Sequence, residues 1–215
     1  MVFRTKVLPV IALAAALTGC AREGELVVAQ GVGITAVLTT CPSVGIPDYT
    51  GDVTTFQGSE PIASALDVSA AMTNLRSTCS ESGENVYSEA TFDVIARREN
   101  TNGARSVTLP YFVTVLRGGS AVVTKRVGEV TLNFADGEAR AQASGKAGSF
   151  VNRASATLPE DIRERITRRR RPGDVDAALD PLADNEVKAA IARTRYEMLV
   201  GFQLTEDQLK YNVTR

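Results

Sequence analysis

The sequence contains no histidine and no tryptophan, and these absences exclude several kinds of functional site. Without an imidazole, the chain cannot build a Ser-His-Asp or Cys-His nucleophile system, nor a zinc site that needs histidine. Aromatic residues make up only 6% of the chain, so platforms that stack sugars or nucleic-acid bases are not expected. The 24 basic residues are balanced by 25 acidic residues, which does not favour nucleic acid as a partner.

The rest of the composition is typical of a folded globular protein. Hydrophobic residues make up 44% of the 215-residue chain, which is enough to fill a core. The length suits one or two domains. Disorder throughout the chain is therefore not expected.

The first twenty residues contain the parts of a secretory signal peptide. Arg4 and Lys6 form a basic start, an apolar run covers 7–17, and small residues follow it. A helix over this run would rise only about 16 Å, roughly half the thickness of a hydrocarbon core. The segment is therefore too short to be a permanent transmembrane span.

The end of this segment, Leu17-Thr18-Gly19-Cys20, resembles the lipobox of bacterial lipoproteins. The resemblance implies cleavage between Gly19 and Cys20, and it implies a diacylglyceryl thioether and an N-acyl chain on Cys20. Ala21 is similar to the residue found after the cysteine in lipoproteins sorted to the outer membrane, which implies a location at its periplasmic face. The alternative is an ordinary secretory signal with a chance cysteine.

This interpretation divides the chain into three parts. Residues 1–19 are a signal peptide that is removed, 20–32 form a lipidated tether, and 33–215 form a single β-rich domain. The stretch 21–30 reaches at most about 35 Å when fully extended, so the domain is expected to stay near its bilayer.

Once Cys20 is assigned to the lipid, Cys41 and Cys79 remain. An even pair of cysteines in an oxidising compartment predicts one disulfide. The alternatives are a reactive thiol or a metal contact, although two thiolates without histidine supply at most half of a structural zinc site.

Residue alternation and turn signals predict a mainly β fold, an antiparallel β-sandwich with a helical insertion before the last strand. Gly118-Gly119 and Asp136-Gly137 are typical of tight hairpin turns, and Pro110 indicates an edge or a bulge. Residues 42–61 are rich in turn formers and predict a long connection. The predicted strands cover 33–41, 65–79, 85–99, 106–117, 120–134, 138–157 and 196–204. In strand number alone, this pattern resembles an immunoglobulin-like or fibronectin-III-like topology.

The helical insertion is predicted over about 157–193. Thr157 and Glu160 have the spacing of a capping box that opens a first helix, and a second helix is expected from Asp184 to about Arg193. This second helix could instead continue through Met198. A further capping box at 205–208 predicts a short terminal turn.

A run of arginines at the end of the first predicted helix is the candidate surface for an anionic partner. Arginine suits phosphate and carboxylate groups, so this surface would contact anionic lipid, lipopolysaccharide or peptidoglycan. The alternative is that five acidic residues downstream, between 174 and 186, neutralise the run. The members of the run are Arg163, Arg165, Arg168, Arg169, Arg170 and Arg171.

These features favour a non-catalytic envelope lipoprotein with a structural or partner-binding role. Its expected partners are the membrane, through the lipid on Cys20, and an envelope protein, anionic lipid or peptidoglycan. No cofactor is expected, because the glycine pattern at 31–36 lacks the strand-turn-helix context of a dinucleotide site. No metal is expected either, because the sequence from Asp174 begins like a calcium loop but has Ala178 and Leu179 where a ligand and a glycine should be. The alternatives are a peptidoglycan hydrolase that uses two carboxylates, since that chemistry needs no histidine, and a carrier of an apolar ligand.

Overall fold

The computed structural model describes residues 39–215 apart from 59, 169, 172, 177 and 178. The predicted signal peptide, Cys20 and the tether lie outside the described residues. The same holds for most of the first predicted strand, 33–41, and its last three residues, 39–41, are not in a strand. Arg169 of the arginine run also lies outside them.

The described chain consists of eight strands and four α-helices. The strands are β1 (Ser43–Gly45), β2 (Asp52–Phe56), β3 (Leu66–Ser80), β4 (Asn85–Arg98), β5 (Arg105–Arg117), β6 (Ala121–Phe134), β7 (Arg140–Asn152) and β8 (Tyr196–Phe202). The helices are α1 (Arg153–Ala156), α2 (Glu160–Thr167), α3 (Asn185–Thr194) and α4 (Glu206–Thr214). None of these helices combines the length and the apolar character needed to span a bilayer.

The strands form two packed four-stranded sheets, in the orders β1-β8-β5-β6 and β2-β3-β4-β7. Every neighbouring pair is antiparallel except β1 with β8. Helices α1, α2 and α3 lie between β7 and β8 in the chain. The prediction of a mainly β, antiparallel sandwich with a helical insertion before the last strand is therefore confirmed.

An aromatic pair fills the space between the two sheets. Phe92 on β4 meets Tyr111 on β5 edge to face, with ring centroids 5.0 Å apart, and the Tyr111 hydroxyl donates to the Lys146 carbonyl at 2.8 Å. Both rings occupy room left by glycines. A Cβ on Gly145 would lie 2.4 Å from the Phe92 ring, and one on Gly128 would lie 2.6 Å from Tyr111. Interiors packed this closely leave no space for an added methyl group.

The segment predicted as one long connection, 42–61, instead contains β1 and β2. The prediction failed because turn-forming residues dominate the segment and each strand is short. Within it, Val53 and Thr54 are buried, and their β-branched side chains suit a strand. β2 pairs with the 15-residue β3 and β1 pairs with the seven-residue β8, and local composition does not reveal such pairing.

Two other local predictions need correction. The sixth predicted strand, 138–157, ends earlier, because Asn152 closes β7 and its side chain accepts a hydrogen bond from the Ser155 amide at the start of α1. The capping box at Thr157 is also wrong. The Thr157 hydroxyl donates back to the Arg153 carbonyl at 2.7 Å, and Pro159 is the residue that precedes α2.

Pro110 lies in β5, between β6 and β8, without a bulge at its own position. The pairing of β5 with β8 ends at Tyr111 and Phe202, so Pro110 lies just beyond the last ladder pair on that side. Its carbonyl accepts from the Gln203 amide at 2.9 Å. The missing N–H of proline is tolerated because that side of the strand has become a local edge.

Arg98 is a buried cation that the sequence analysis did not identify. It ends β4 with 1% exposure, and its guanidinium carbon lies 5.2 Å from the centroid of the Phe134 ring. Its donors hold the β4–β5 and β6–β7 turns together. The four acceptors are the carbonyls of Thr101, Gly103, Ala135 and Glu138, at 2.7–2.9 Å.

The predicted terminal capping box is confirmed at Thr205 and Gln208, but it opens a full helix, α4, rather than a short turn. Near the end of α4, the Asn212 amide donates to the carbonyls of Tyr49 and Asp52, each at 2.8 Å. The C-terminal helix thus fastens the loop between β1 and β2, which explains how that loop is held.

Candidate functional site

The predicted disulfide between Cys41 and Cys79 is present, with a sulfur–sulfur distance of 2.14 Å and Cα atoms 6.1 Å apart. It joins the segment that precedes β1 to the end of β3, and therefore links the two sheets. The Thr39 hydroxyl donates to the Glu81 carboxylate at 2.8 Å, which holds the pKa of Glu81 below its usual range. The chain therefore enters the domain beside the β3–β4 turn.

Several elements meet at this pole of the sandwich, which we call the disulfide end. It comprises the Cys41–Cys79 bridge, the β3–β4 turn, the β5–β6 turn and the helical insertion 153–194. Val115, Val151 and Tyr196 form a small buried cluster that joins β5, β7 and β8 there. The Gly118 amide in the β5–β6 turn donates to the Arg195 carbonyl at 2.9 Å, which ties the turn to the end of α3.

Helices α2 and α3 pack on each other through a separate apolar cluster. Ile162, Val187 and Ala190 are at most 3% exposed. Leu158, Ile166 and Ile191 pack against them as partly buried neighbours. These are positions that helical spacing predicts to face inward, so the insertion has a small core of its own.

The start of α3 is fixed by Asp184, whose carboxylate accepts hydrogen bonds from the amides of Glu186 and Val187 at 2.8 and 3.2 Å. The backbone bond from Val187, followed by that from Glu186, lowers the pKa of Asp184. A carboxylate at a helix N-terminus also meets the positive end of the helix dipole. Asp184 is therefore held in its charged form.

Arg165 connects α2 to α3. Its guanidinium donates to the Glu186 carboxylate at 2.7 Å and to the Asp184 carboxylate at 2.8 Å. The hydrogen bond to Glu186 is the largest cause of the raised pKa of Arg165. This arginine is thus paired with two of the five acidic residues that follow the arginine run.

Arg168 and Arg170 converge on Asp176. Arg168 forms an ion pair with that carboxylate, and Nε of Arg170 lies 3.3 Å from it. The hydrogen bond from Arg168 is the main reason why the pKa of Asp176 is lowered. Arg170 also donates to the Arg165 carbonyl at 3.0 Å, and its side chain is only 19% exposed.

The other described members of the run lie at its two ends. Arg163 pairs with Glu160 within α2, and its side chain is 50% exposed. Arg171 is exposed, and its backbone amide donates to the Asp174 carboxylate at 2.9 Å. An anionic partner would compete with carboxylates at Arg163, Arg165 and Arg168, whereas the Arg171 side chain is exposed.

These charges surround a groove of about 880 Å³ between α2 and the segment that leads to α3. Acidic and basic side chains both line it, including Glu164, Arg165 and Asp180. A charged ligand in this groove would replace existing ion pairs, because the groove has no surface of purely positive or purely negative charge.

Six described carboxyls have a shifted pKa, and the direction of the shift bears on whether those six could act as a general acid. A glycosidase needs one carboxyl whose pKa is raised, because that group must carry a proton at neutral pH. Every described carboxyl with a shifted pKa is shifted downward; these are Asp67, Glu81, Asp93, Glu160, Asp176 and Asp184. Among all the residues that the structure describes, no group of three or more His, Cys, Asp or Glu side chains is arranged to hold a metal ion.

One feature of the disulfide end escaped the sequence analysis, which used 118–119 only as a turn signal. The β5–β6 hairpin carries Arg117, Lys125 and Arg126 with no acidic residue between them. Val122 and Val123 on the same hairpin are 64% and 52% exposed. The signal in the sequence was this pairing of basic charge with apolar residues next to a Gly-Gly turn.

Comparison of the chain with protein-family models, with curated proteins and with solved structures finds no match.

Proposed function

We propose that the protein is a bacterial envelope lipoprotein, anchored through acyl chains on Cys20 at the periplasmic face of the outer membrane. In this proposal, the β-sandwich has a non-catalytic structural or partner-binding role. The observation that carries the proposal is the Leu17-Thr18-Gly19-Cys20 sequence after a basic start and an apolar run.

The disulfide supports an exported location. Disulfides persist in oxidising compartments such as the bacterial periplasm and are rare in the cytosol. Cys41 and Cys79 are joined in this chain, and Cys20 is then the single cysteine left for lipid attachment.

The length of chain before the domain also supports anchoring near a membrane. Eighteen residues, 21–38, separate Cys20 from Thr39. Even fully extended, they reach at most about 65 Å. The domain is therefore confined to a thin layer next to the bilayer, where its local concentration makes a weak contact effective without any added affinity.

The acyl chains themselves explain a permanent attachment. One chain of myristoyl length gives only marginal and reversible binding, whereas two or more chains anchor a protein stably. A thioether-linked diacylglyceryl group and an amide-linked chain place three chains on one residue. An anchor of this strength needs no contribution from the rest of the protein.

The contacts of the described residues favour this role over the two alternatives. The six described carboxyls with a shifted pKa are all shifted downward, so none of these six suits the role of the protonated acid in a hydrolase. A carrier of an apolar ligand needs an interior cavity. The space between the sheets is instead filled by side chains such as Phe92, Tyr111 and Phe134.

The test is a comparison of Cys20→Ala with the matched variant Thr18→Ser, which keeps a small residue in the lipobox. Cells are given labelled palmitate, and the protein is followed by size and by membrane fractionation. We expect Cys20→Ala to lose the label and the processed size, because the acceptor sulfur is gone. Thr18→Ser should keep both. A Cys20→Ala protein that is processed normally and stays fully membrane-bound would contradict the proposal.

A further inference from the structure

The β5–β6 hairpin combines exposed apolar side chains with unbalanced positive charge. Val122, Val123 and Val127 are 64%, 52% and 58% exposed. Lys125 and Arg126 lie among them, and no acidic residue occurs from 117 to 128. Large apolar side chains grouped on a surface commonly mark an interaction site.

The pairing of the strands explains why these valines are exposed. β6 is an edge strand, since β5 is its one neighbour among the described strands. The register shifts between Val115 and Leu116, so that Leu116 faces Val122, Val115 faces Thr124 and Val123 is the extra residue. Such a bulge redirects side chains and strengthens the local twist.

The basic side chains of the hairpin are held by aromatic rings and a carbonyl. Nζ of Lys125 lies 5.5 Å from the centroid of the Phe112 ring. The Arg117 guanidinium carbon lies 5.9 Å from the centroid of the Tyr196 ring, and its Nε donates to the Arg193 carbonyl. Among the described residues, no carboxylate forms an ion pair with Arg117, Lys125 or Arg126, in contrast to the paired arginines of the helical insertion.

The hairpin lies at the disulfide end, where the chain from Cys20 enters the domain. The Thr39–Glu81 hydrogen bond and the Cys41–Cys79 bridge fix the entry point beside the β3–β4 turn. The buried cluster around Val115 brings β5 to the same end of the sandwich. The chain therefore enters the domain at the same end that carries the hairpin.

We propose that the β5–β6 hairpin docks on the phospholipid leaflet that holds the acyl chains of Cys20. Val122 and Val123, next to the turn, enter the headgroup region, and the positive charges of Lys125 and Arg126, on opposite faces of β6, are attracted by anionic headgroups. This inference rests on the proposed lipid anchor and adds an orientation to it. Juxtamembrane basic residues are attracted by anionic lipid, and apolar side chains are favourable at the interface.

A second copy of the chain is a less suitable occupant of the β6 edge. Edge-to-edge pairing of two copies would bring Lys125 and Arg126 of one copy toward the same residues of the other. Lysine on an edge strand, and a charged residue on the face that points toward the partner sheet, are features that oppose such pairing. Arg126 lies opposite the buried Val113 and is on that face.

The experiment uses the full-length protein, purified in detergent and reconstituted in vesicles of phosphatidylethanolamine and phosphatidylglycerol. Val123→Cys supplies the one free thiol, since Cys20 is acylated and the other two cysteines are joined, and it is labelled with an environment-sensitive fluorophore. Lipids that carry a quencher in their acyl chains then report contact. The matched control is Thr131→Cys, an exposed site eight residues further along the same strand, about 26 Å away.

We expect lipid quenching of the label at 123 to exceed that at 131 by at least fivefold. Reversing the hairpin charge with Lys125→Glu and Arg126→Glu should reduce the quenching at 123 to near the level at 131. Arg97→Glu with Arg140→Glu makes the same charge change where β4 ends and β7 begins, away from the hairpin, and should leave quenching unchanged.

The possible failures are distinguishable by the mass of the purified protein. If the acyl chains are present and the labels at 123 and 131 are quenched equally, the docking inference is wrong while the anchor stands. If the mass shows no acyl chains, the proposed function fails and the inference falls with it. A change in the label at 123 that depends on protein concentration and not on vesicles would indicate pairing of two copies and overturn the inference.

Discussion

Single side chains in this domain form hydrogen bonds with backbone carbonyls in turns, where no helix or strand partner is available. Arg98 is the main example, since its guanidinium donates to four carbonyls in two turns while it is 1% exposed. Alternation along β4 predicts that Arg98 faces inward, because it puts Arg98 on the same face as Phe92 and Val94. Composition alone gave no reason to bury a cation, and the carbonyl acceptors come from turns that are distant in sequence.

We predict that Arg98→Met lowers the free energy of unfolding by about 3 kcal/mol or more, because it leaves several buried carbonyls without a donor. The matched control is Arg97→Met, on the exposed face of the same strand, which should stay within about 0.5 kcal/mol of the parent. Urea unfolding followed by circular dichroism measures both. Equal stability of the two variants would show that the carbonyl contacts of Arg98 do not support the fold.

At the scale of elements, alternation predicted the long strands well and the short ones not at all. The bounds of β3 to β6 and of β8 match their predictions within a few residues, because each long strand alternates buried and exposed positions. β1 and β2 are too short to show a period. β1 depends on β8, which is far away in the chain, and β2 depends on β3, the next strand. The helices of the insertion were predicted from apolar spacing, whereas their capping residues were only partly predicted.

We predict that α3 depends on Asp184 as its N-cap. Asp184→Ala should speed hydrogen exchange of the first α3 amides, since the hydrogen bonds to Glu186 and Val187 are lost. Asp184→Asn should keep most of the protection that Asp184→Ala loses, because asparagine also caps helices. The Asp184→Asn variant lacks the ion pair with Arg165. The same rate in both variants would assign the effect to the ion pair instead of the cap.

Because folding lowers the pKa of Asp184, the stabilisation of α3 by this N-cap depends on pH. A carboxyl whose pKa is depressed by folding stabilises the folded state fully at pH values above its unfolded pKa of about 4. The contribution is lost as the pH falls through the lowered folded pKa. Protection of α3 should therefore decrease below about pH 4 in the parent protein. In Asp184→Asn, the protection of the first α3 amides should not decrease below about pH 4, because asparagine does not titrate. An equal decrease in that variant would show that groups other than Asp184 cause it.

At the scale of the whole molecule, the disulfide end collects features that are scattered in the sequence. The entry of the chain, the described arginines of the run and the β5–β6 hairpin all lie there, although they are separated by up to about 130 residues. The disulfide closes a 38-residue separation, for which chain entropy predicts a stabilisation of about 4 kcal/mol. Sequence alone predicted the pairing of the cysteines, but it could not place the hairpin beside them, because that depends on how the two sheets pack.

The arginine run illustrates the same limit. The sequence allowed either a surface for an anionic partner or neutralisation by the acids downstream. The contacts of Arg165, Arg168 and Arg170 with carboxylates are specific to the folded insertion. Positive charge outside these ion pairs lies on Arg171 and on the β5–β6 hairpin.

The most direct test of the account is the intact mass of the mature protein purified from membranes, combined with sequencing of its N-terminal peptide. We expect a chain that begins at Cys20 and carries the added mass of a diacylglyceryl group and one further acyl chain. An unmodified Cys20, or a mature chain that begins at another residue, would contradict it.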